Sequence, residues 1–229
     1  YFKLIKKVTD DPEYDEKKAK KLLRNFVEKH PHAISKKTDI MLEHFMSSSY
    51  NKIQNKGRAM VVTRSRLHAV LYKKAFDKLI KENNYPIKTI VAFSGIVKHD
   101  EQEYTENNMN NLSSKKSIEN AFNEDPYRIL IVANKYQTGF DQPLLHTMYV
   151  DKMLNGITAV QTLSRANRIY PPHKNDTLIL DFANQTEVIE KAFKPYYEAT
   201  FLKEGTDPHK LYELEEKLNE DEETLNKWK

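Results

Sequence analysis

Apolar residues fall along this chain in two rhythms. Between residues 57 and 200, short β-branched runs alternate with longer stretches whose apolar residues recur every three or four positions. AMVVT (59–63), TIVAF (89–93), RILIVA (128–133), HTMYVD (146–151) and TLILDF (177–182) read as strands. Leu67, Leu71, Ala75 and Leu79 recur at helical spacing and predict a helix over 65–83. Further helices are predicted from a Ser114 cap to 123, over 157–170 and over 185–200. The polar stretch 98–112 has no clear period and predicts a loop. RILIVA is apolar without alternation, as expected of a strand covered on both faces. Strand–helix alternation of this kind predicts an α/β fold, a parallel sheet flanked by helices, with ligand sites at the carboxyl ends of strands.

The flanks read differently. Over 10–56 the pattern is helical: Asp11 or Asp15 caps a helix through 28, Pro31 ends it, and Ser35 caps a second helix to about 53. Lys17, Lys18, Lys20, Lys21 and Arg24 form a basic, solvated helix face. Beyond 201, Leu211, Leu214, Leu218 and Leu225 recur at helical spacing in an acidic tail. Three parts are expected: a helical N-terminal segment (1–56), an α/β domain (57–200) and the start of a C-terminal helical region (201–229). The chain opens at YFKLIKKV without an initiator Met and reads as part of something longer.

Composition narrows the classes. The 229 residues carry a net charge of +4, which permits a nucleic-acid partner without arguing for one. Cysteine is absent, excluding disulfides and thiolate metal sites and fitting a cytoplasmic setting. No apolar run approaches the roughly 18 residues of a membrane span. The eight histidines are scattered without ligand spacing, so no metal site is expected.

Two motifs carry chemistry. In ITAVQTLSRANRIYP, Arg165 and Arg168 follow Gln161 at i+4 and i+7 and would share one stripe of a continuous helix. Ala159, Leu163, Ala166 and Tyr170 would face the core. The stripe holds no acidic residue, and arginine suits bidentate recognition of phosphate. About 20 residues earlier, Thr138-Gly-Phe-Asp141 follows the RILIVA strand, where Gly139 permits close backbone approach and Thr138 and Asp141 offer hydrogen bonds. Asp181, at the end of TLILDF, reads as a loop or helix cap.

Taken in order, these blocks resemble the second motor domain of superfamily 2 helicases and translocases. AMVVTRSRLHA is similar to motif IV, AFSG to the segment after it, ILIVANKYQTGFDQP to motif V and QTLSRANR to motif VI. The common motif VI is Gln-Arg-x-Gly-Arg-x-Gly-Arg; here Thr162 replaces the first arginine, and Ser164 and Asn167 replace the glycines. VANKYQTGFDQPLL, YVDK and QTLSRANRIYP in this order are similar to the R subunit of type I restriction-modification enzymes. The resemblance implies a RecA-like fold and a role in ATP-dependent translocation of double-stranded DNA. It implies that Gln161, Arg165 and Arg168 act on ATP, with Arg168 as an arginine finger. Gly139 and Asp141 would lie by the nucleotide. Thr63, Arg64, Ser94, Gly95, Lys135 and Thr138 would face the DNA backbone. ATP and Mg2+ are the implied cofactors. The implied partners are the first motor and nuclease domains of the same chain and the methyltransferase and specificity subunits. No G-x-x-x-x-G-K-[ST] loop occurs, nor an Asp-Glu box of the kind that holds magnesium, so this stretch alone is expected to be inactive. The alternatives are a strand-separating helicase and a nucleotide-independent phosphate-binding α/β module.

Overall fold

A computed structural model describes residues 30–112, 116–136 and 140–203, the last seven by their backbone only. The expected helix over 11–28, its basic face and the acidic tail lie outside the described residues, as do Ser114, Thr138 and Gly139.

Five parallel strands form the sheet. They are β1 (Arg58–Thr63), β2 (Lys88–Ala92), β5 (Tyr127–Ala133), β6 (Leu145–Asp151) and β7 (Leu178–Asp181). Their spatial order is β2-β5-β1-β6-β7. β1 is central, with Val61 opposite Ile131 on one side and Tyr149 on the other. The expected α/β class is therefore present, and each expected strand lies within two residues of its predicted bounds.

Alternation along the strands splits the core into two halves. Ala59, Val61, Ile129 and Ile131 face α1 (Pro31–His44) and α2 (Arg66–Glu82). Met60, Val62, Leu130 and Val132 face α4 (Ile118–Phe122), α5 (Gly156–Leu163) and α6 (Thr186–Lys203). A fully buried side chain of this size contributes roughly 1.5–3 kcal/mol. α2 matches its predicted span, with the Ser65 hydroxyl accepting from the His68 N–H at 3.3 Å.

α1 starts earlier than its predicted Ser35 cap. Pro31 presets φ in the first turn, and the His30 ring accepts from the His32 N–H at 3.2 Å. It also ends earlier, in a π-helical turn over Phe45–Ser49, and Ile53 and Gln54 then take positive φ. Ile34, Met41, Leu42 and Phe45 pack into the first half of the core. The helical segment preceding the sheet therefore contributes directly to its packing.

The loop expected over 98–112 is instead folded. β3 (Val97–His99) and β4 (Gln102–Tyr104) make a hairpin whose turn residues, Asp100 and Glu101, both have positive φ, as a tight two-residue turn requires. α3 (Glu106–Asn110) follows behind a Thr105–Asn108 capping box. It protects the edge strand β2. The Asn110 carboxamide accepts from Val91 N–H at 2.8 Å and donates to Val91 C=O at 2.7 Å, and Glu106 accepts from Phe93 N–H at 2.6 Å. Side chains thus occupy positions that a sixth strand would fill. The helix predicted from Ser114 begins instead at Ile118, capped by Ser117.

Candidate functional site

β5 to β6 is a crossover between parallel strands, so the link must travel the length of the sheet. It turns at Asn134 and Tyr136, both at positive φ, and leads down to Leu145. Gln142 donates to the Asn123 side chain at 2.5 Å, and the Arg58 N–H donates to Leu144 C=O at 2.9 Å. Asn123 and Arg58 precede or begin their strands. Asp141 is therefore carried toward the amino ends of the strands, away from the carboxyl edge where the sequence placed its turn.

The two arginines meet this link. α5 ends at Leu163, and Ser164–Asn167 continue as a tighter 3-10 turn. The Ser164 hydroxyl donates to Val160 C=O at 2.6 Å, and Arg168 is extended, at φ −64° and ψ 129°. The single helical stripe expected of Gln161, Arg165 and Arg168 is thus broken. Gln161 stays exposed on α5, whereas Arg165 and Arg168 leave on the turn. The apolar half of the expectation holds: Ala159, Leu163 and Ala166 are buried and Tyr170 is half-buried.

Arg165 Nη1 donates to Phe140 C=O at 2.7 Å, and Arg168 Nε lies 3.3 Å from Asp141 Oδ1. The expectation that the arginines have no acidic partner is therefore corrected for Arg168. That pair is exposed on both sides, at 57% and 70% of the side chains. Such pairs contribute at most about 1 kcal/mol, so Arg168 can leave Asp141 at little cost. Burial, then the nearby Arg168 charge, lowers the Arg165 pKa from its ordinary value. Thr162, where the common motif VI has arginine, is buried against the sheet; its hydroxyl finds no partner among the described residues.

Of the residues expected to face DNA, Thr63, Arg64, Ser94, Gly95 and Lys135 lie elsewhere, at the carboxyl edge. Thr63 is corrected: it is fully buried, and its hydroxyl donates to Val132 C=O at 3.0 Å. Arg64 Nη2 lies 3.7 Å from Asp151. Lys135 is held by both Glu106 oxygens, at 2.9 and 2.8 Å. Ser94 and Gly95 are exposed, and Gly95 has φ +78°. Arg66, which the sequence reading passed over, is exposed beside them and donates to Ser94 C=O at 2.9 Å. Its signal was its place in the first turn of a helix that follows a strand end. No cluster of His, Asp or Glu fit to hold a metal occurs among the described residues. Among them no helix is long and apolar enough to cross a membrane.

One buried network links the edge to α1. Asp151 is 2% exposed and accepts from Lys37 Nζ and from the Tyr72 hydroxyl, each at 2.7 Å. Burial alone would raise its pKa, but the bonds from Lys37 and Tyr72 outweigh this and hold it below the ordinary value. The Tyr72 hydroxyl moves the other way, raised by burial and then by the Asp151 charge. Lys37 and Tyr72 gave no sequence signal because their partner is remote in the chain.

Five parallel strands with helices on both faces, and the 140–141 link in contact with the 165–168 turn, define a parallel-sheet α/β domain. The chain is related to the R subunits of type I restriction enzymes. Residues 122–184 match the family described as type I restriction enzyme subunit R domain 3. The chain is 34% identical over 170 residues to a putative type I restriction enzyme MjaIXP endonuclease subunit of Methanocaldococcus jannaschii, covering 71% of this chain and 15% of that one. It is 32% identical over 90 residues to the type I restriction enzyme HindI endonuclease subunit of Haemophilus influenzae, covering 38% and 8%. It thus spans only a small part of these relatives. A solved fragment of a putative HsdR subunit of a type I restriction enzyme from Vibrio vulnificus is 16% identical with a TM-score of 0.43, over 72% of this chain and 29% of that one.

Proposed function

We propose that this domain is the second, RecA-like motor domain of an ATP-dependent double-stranded DNA translocase, the R subunit of a type I restriction endonuclease. One observation carries the reading. Arg165 and Arg168 converge on Phe140 and Asp141, so two blocks separated in sequence build one solvent-open cationic surface. Two guanidinium groups aimed from one turn suit the charge that develops on a transferring γ-phosphoryl group.

In this reading the triphosphate and Mg2+ are held mainly by a first motor domain, which supplies the P-loop and the magnesium carboxylates. Arg168 rests on Asp141 and swings to the γ-phosphate when the domains close. Arg165 and the exposed Gln161 support it. At the carboxyl edge, Ser94, Gly95, Arg64 and Arg66 meet backbone phosphates, which is binding indifferent to sequence. Lys135 joins them only by releasing Glu106. The nuclease domain of the same chain and the methyltransferase and specificity subunits complete the machine.

The test uses the complete protein assembled with its companion subunits on duplex DNA. ATP-dependent displacement of a triplex-forming strand, without release of a duplex strand, is the expected result. Release of a duplex strand would replace the translocase with a helicase. ATP hydrolysis by the 229-residue chain alone would overturn the division of the ATP site between two domains.

A further inference from the structure

The backbone that carries Arg168 has no regular structure to hold it. α5 is over at Leu163, the 3-10 turn is over at Asn167, and Arg168 is extended. The carbonyls of Ala166 and Arg168 therefore have no helical N–H to accept from. Both accept from a single amine, Lys174 Nζ, at 2.6 and 2.7 Å.

Lys174 is itself well placed by its own loop. Tyr170 C=O accepts from the His173 and Lys174 N–H groups at 2.9 and 3.0 Å, and Tyr170 and Lys174 form an antiparallel bridge. Next to it, Thr177 Oγ1 donates to Asn167 Oδ1 at 3.1 Å. Asp176 is tied to Lys52 at 2.7 Å and to His146 at 3.1 Å, which fixes the far end of the loop to the sheet. The loop 168–177 thus folds back on the arginine turn and bonds it at three points.

We propose that Lys174 is a positioning residue for the arginine turn: its ammonium fixes the backbone beneath Arg168 while the guanidinium stays free to move from Asp141 to a phosphate. The proposal rests on the ATP-facing reading of Arg168. The division of labour has a physical reason. A finger must change partners during each cycle, yet a displacement of about 1 Å at the reacting centre can cost on the order of 10²-fold in rate. A mobile side chain on a clamped backbone satisfies both demands.

Lys174 has an unusual acid–base property. Burial lowers its pKa to about 8, and Asp176 opposes this. His146, whose pKa burial lowers, feels the Lys174 charge, and Asp176 is held by Lys52. Arg168, Tyr170 and His173 are the other charged or titratable groups of this turn and loop. As pH rises through about 8, the amine loses its charge and the two bonds to carbonyls weaken.

The experiment measures DNA-stimulated ATPase of the complete enzyme carrying Lys174→Met, Lys174→Arg or Arg168→Ala. Lys174→Met is expected to lower kcat by about 10- to 100-fold with KM for ATP little changed. Lys174→Arg keeps a permanent cation and is expected to recover most of that loss. Its kcat should also hold above pH 8, where the wild-type value declines. A loss in Lys174→Met that tracks a lowered melting temperature, with identical pH profiles for wild type and Lys174→Arg, would make the lysine a stability element and overturn the proposal. So would full activity in Lys174→Met while Arg168→Ala is inactive. Full activity in Arg168→Ala would instead remove the ATP-facing reading itself.

Discussion

Replacing Asp151 with alanine tests how the sheet edge is tied to α1. The carboxylate is 2% exposed and holds Lys37 and Tyr72 at 2.7 Å each, with Arg64 at 3.7 Å. Removing one partner of a buried ion pair costs about 3–5 kcal/mol. The Lys37 side chain is 24% exposed and can recover water, which favours the lower end. The Tyr72 hydroxyl cannot, because Tyr72 is fully buried, and a buried donor without a partner costs about 1–3 kcal/mol. The expected loss is about 4 kcal/mol for Asp151→Ala, read by equilibrium urea unfolding. Asp151→Asn keeps an oxygen for Tyr72 and should lose about half as much. The pH dependence adds a second check. The Asp151 pKa is lowered in the folded state, so its contribution is present above the unfolded value of about 3.9 and is lost as pH falls through the folded one. Wild type and Asp151→Asn should therefore converge in stability in strong acid. A loss below about 1 kcal/mol in Asp151→Ala, or a constant gap down to pH 2, would refute the network as the tie between α1 and the sheet.

Two further perturbations separate local causes. Asn110→Ala strips both partners from Val91 at the edge of β2 and should cost about 2–4 kcal/mol in urea unfolding; Asn110→Asp, which cannot donate to the carbonyl, should not restore it. The His146 pKa is lowered from 6.5, chiefly by burial, so the folded state favours the neutral ring. Its contribution is complete above about pH 6.5 and falls away as pH drops through the lowered value. His146→Gln should therefore flatten the stability profile below pH 6.5 in thermal melts; an unchanged slope there would assign it to another group.

β1, β2 and β5 were legible as runs rich in β-branched residues, and β6 and β7 as short, largely apolar runs between helical stretches. α2 was legible because its leucines keep the helical period and Ser65 caps it. What escaped had weak local signals. The β3–β4 hairpin has strands of three residues and a turn of Asp100 and Glu101, with no apolar alternation to mark it. α1 opens on His30 and Pro31, which read more readily as a stop than as a start. α5 was carried too far because Leu163, Ala166 and Tyr170 keep the helical period even where Ser164 bonds back to Val160 and the chain tightens.

The candidate site could be named from the sequence as a set of residue types but not as an arrangement. The spacing of Gln161, Arg165 and Arg168 raised the expectation of phosphate chemistry, yet spacing alone could not reveal Asp141 as the carboxylate beside Arg168. That pairing depends on a crossover link that returns to the amino end of the sheet. Thr63 illustrates the converse error: a polar residue at a strand end looked available, and its hydroxyl is spent on the neighbouring strand. Arg64 was read from its place at a strand end and Lys135 from its place beside the motif V-like block, and each has a carboxylate close by. Arg66 has no such ion pair among the described residues and is the more exposed cation of that edge.

The central claim is that Arg168 exchanges Asp141 for the γ-phosphate. It is tested most directly by DNA-stimulated ATP turnover of the complete protein with Arg168→Ala, measured beside its melting temperature on the same preparation. The account predicts a fall in kcat on the order of 10³-fold, with KM for ATP and the melting temperature nearly unchanged. Arg168→Lys should recover little, because an ammonium lacks the planar fork. Normal turnover with a lowered melting temperature would contradict the account and leave the Arg168–Asp141 pair as the arginine's whole role.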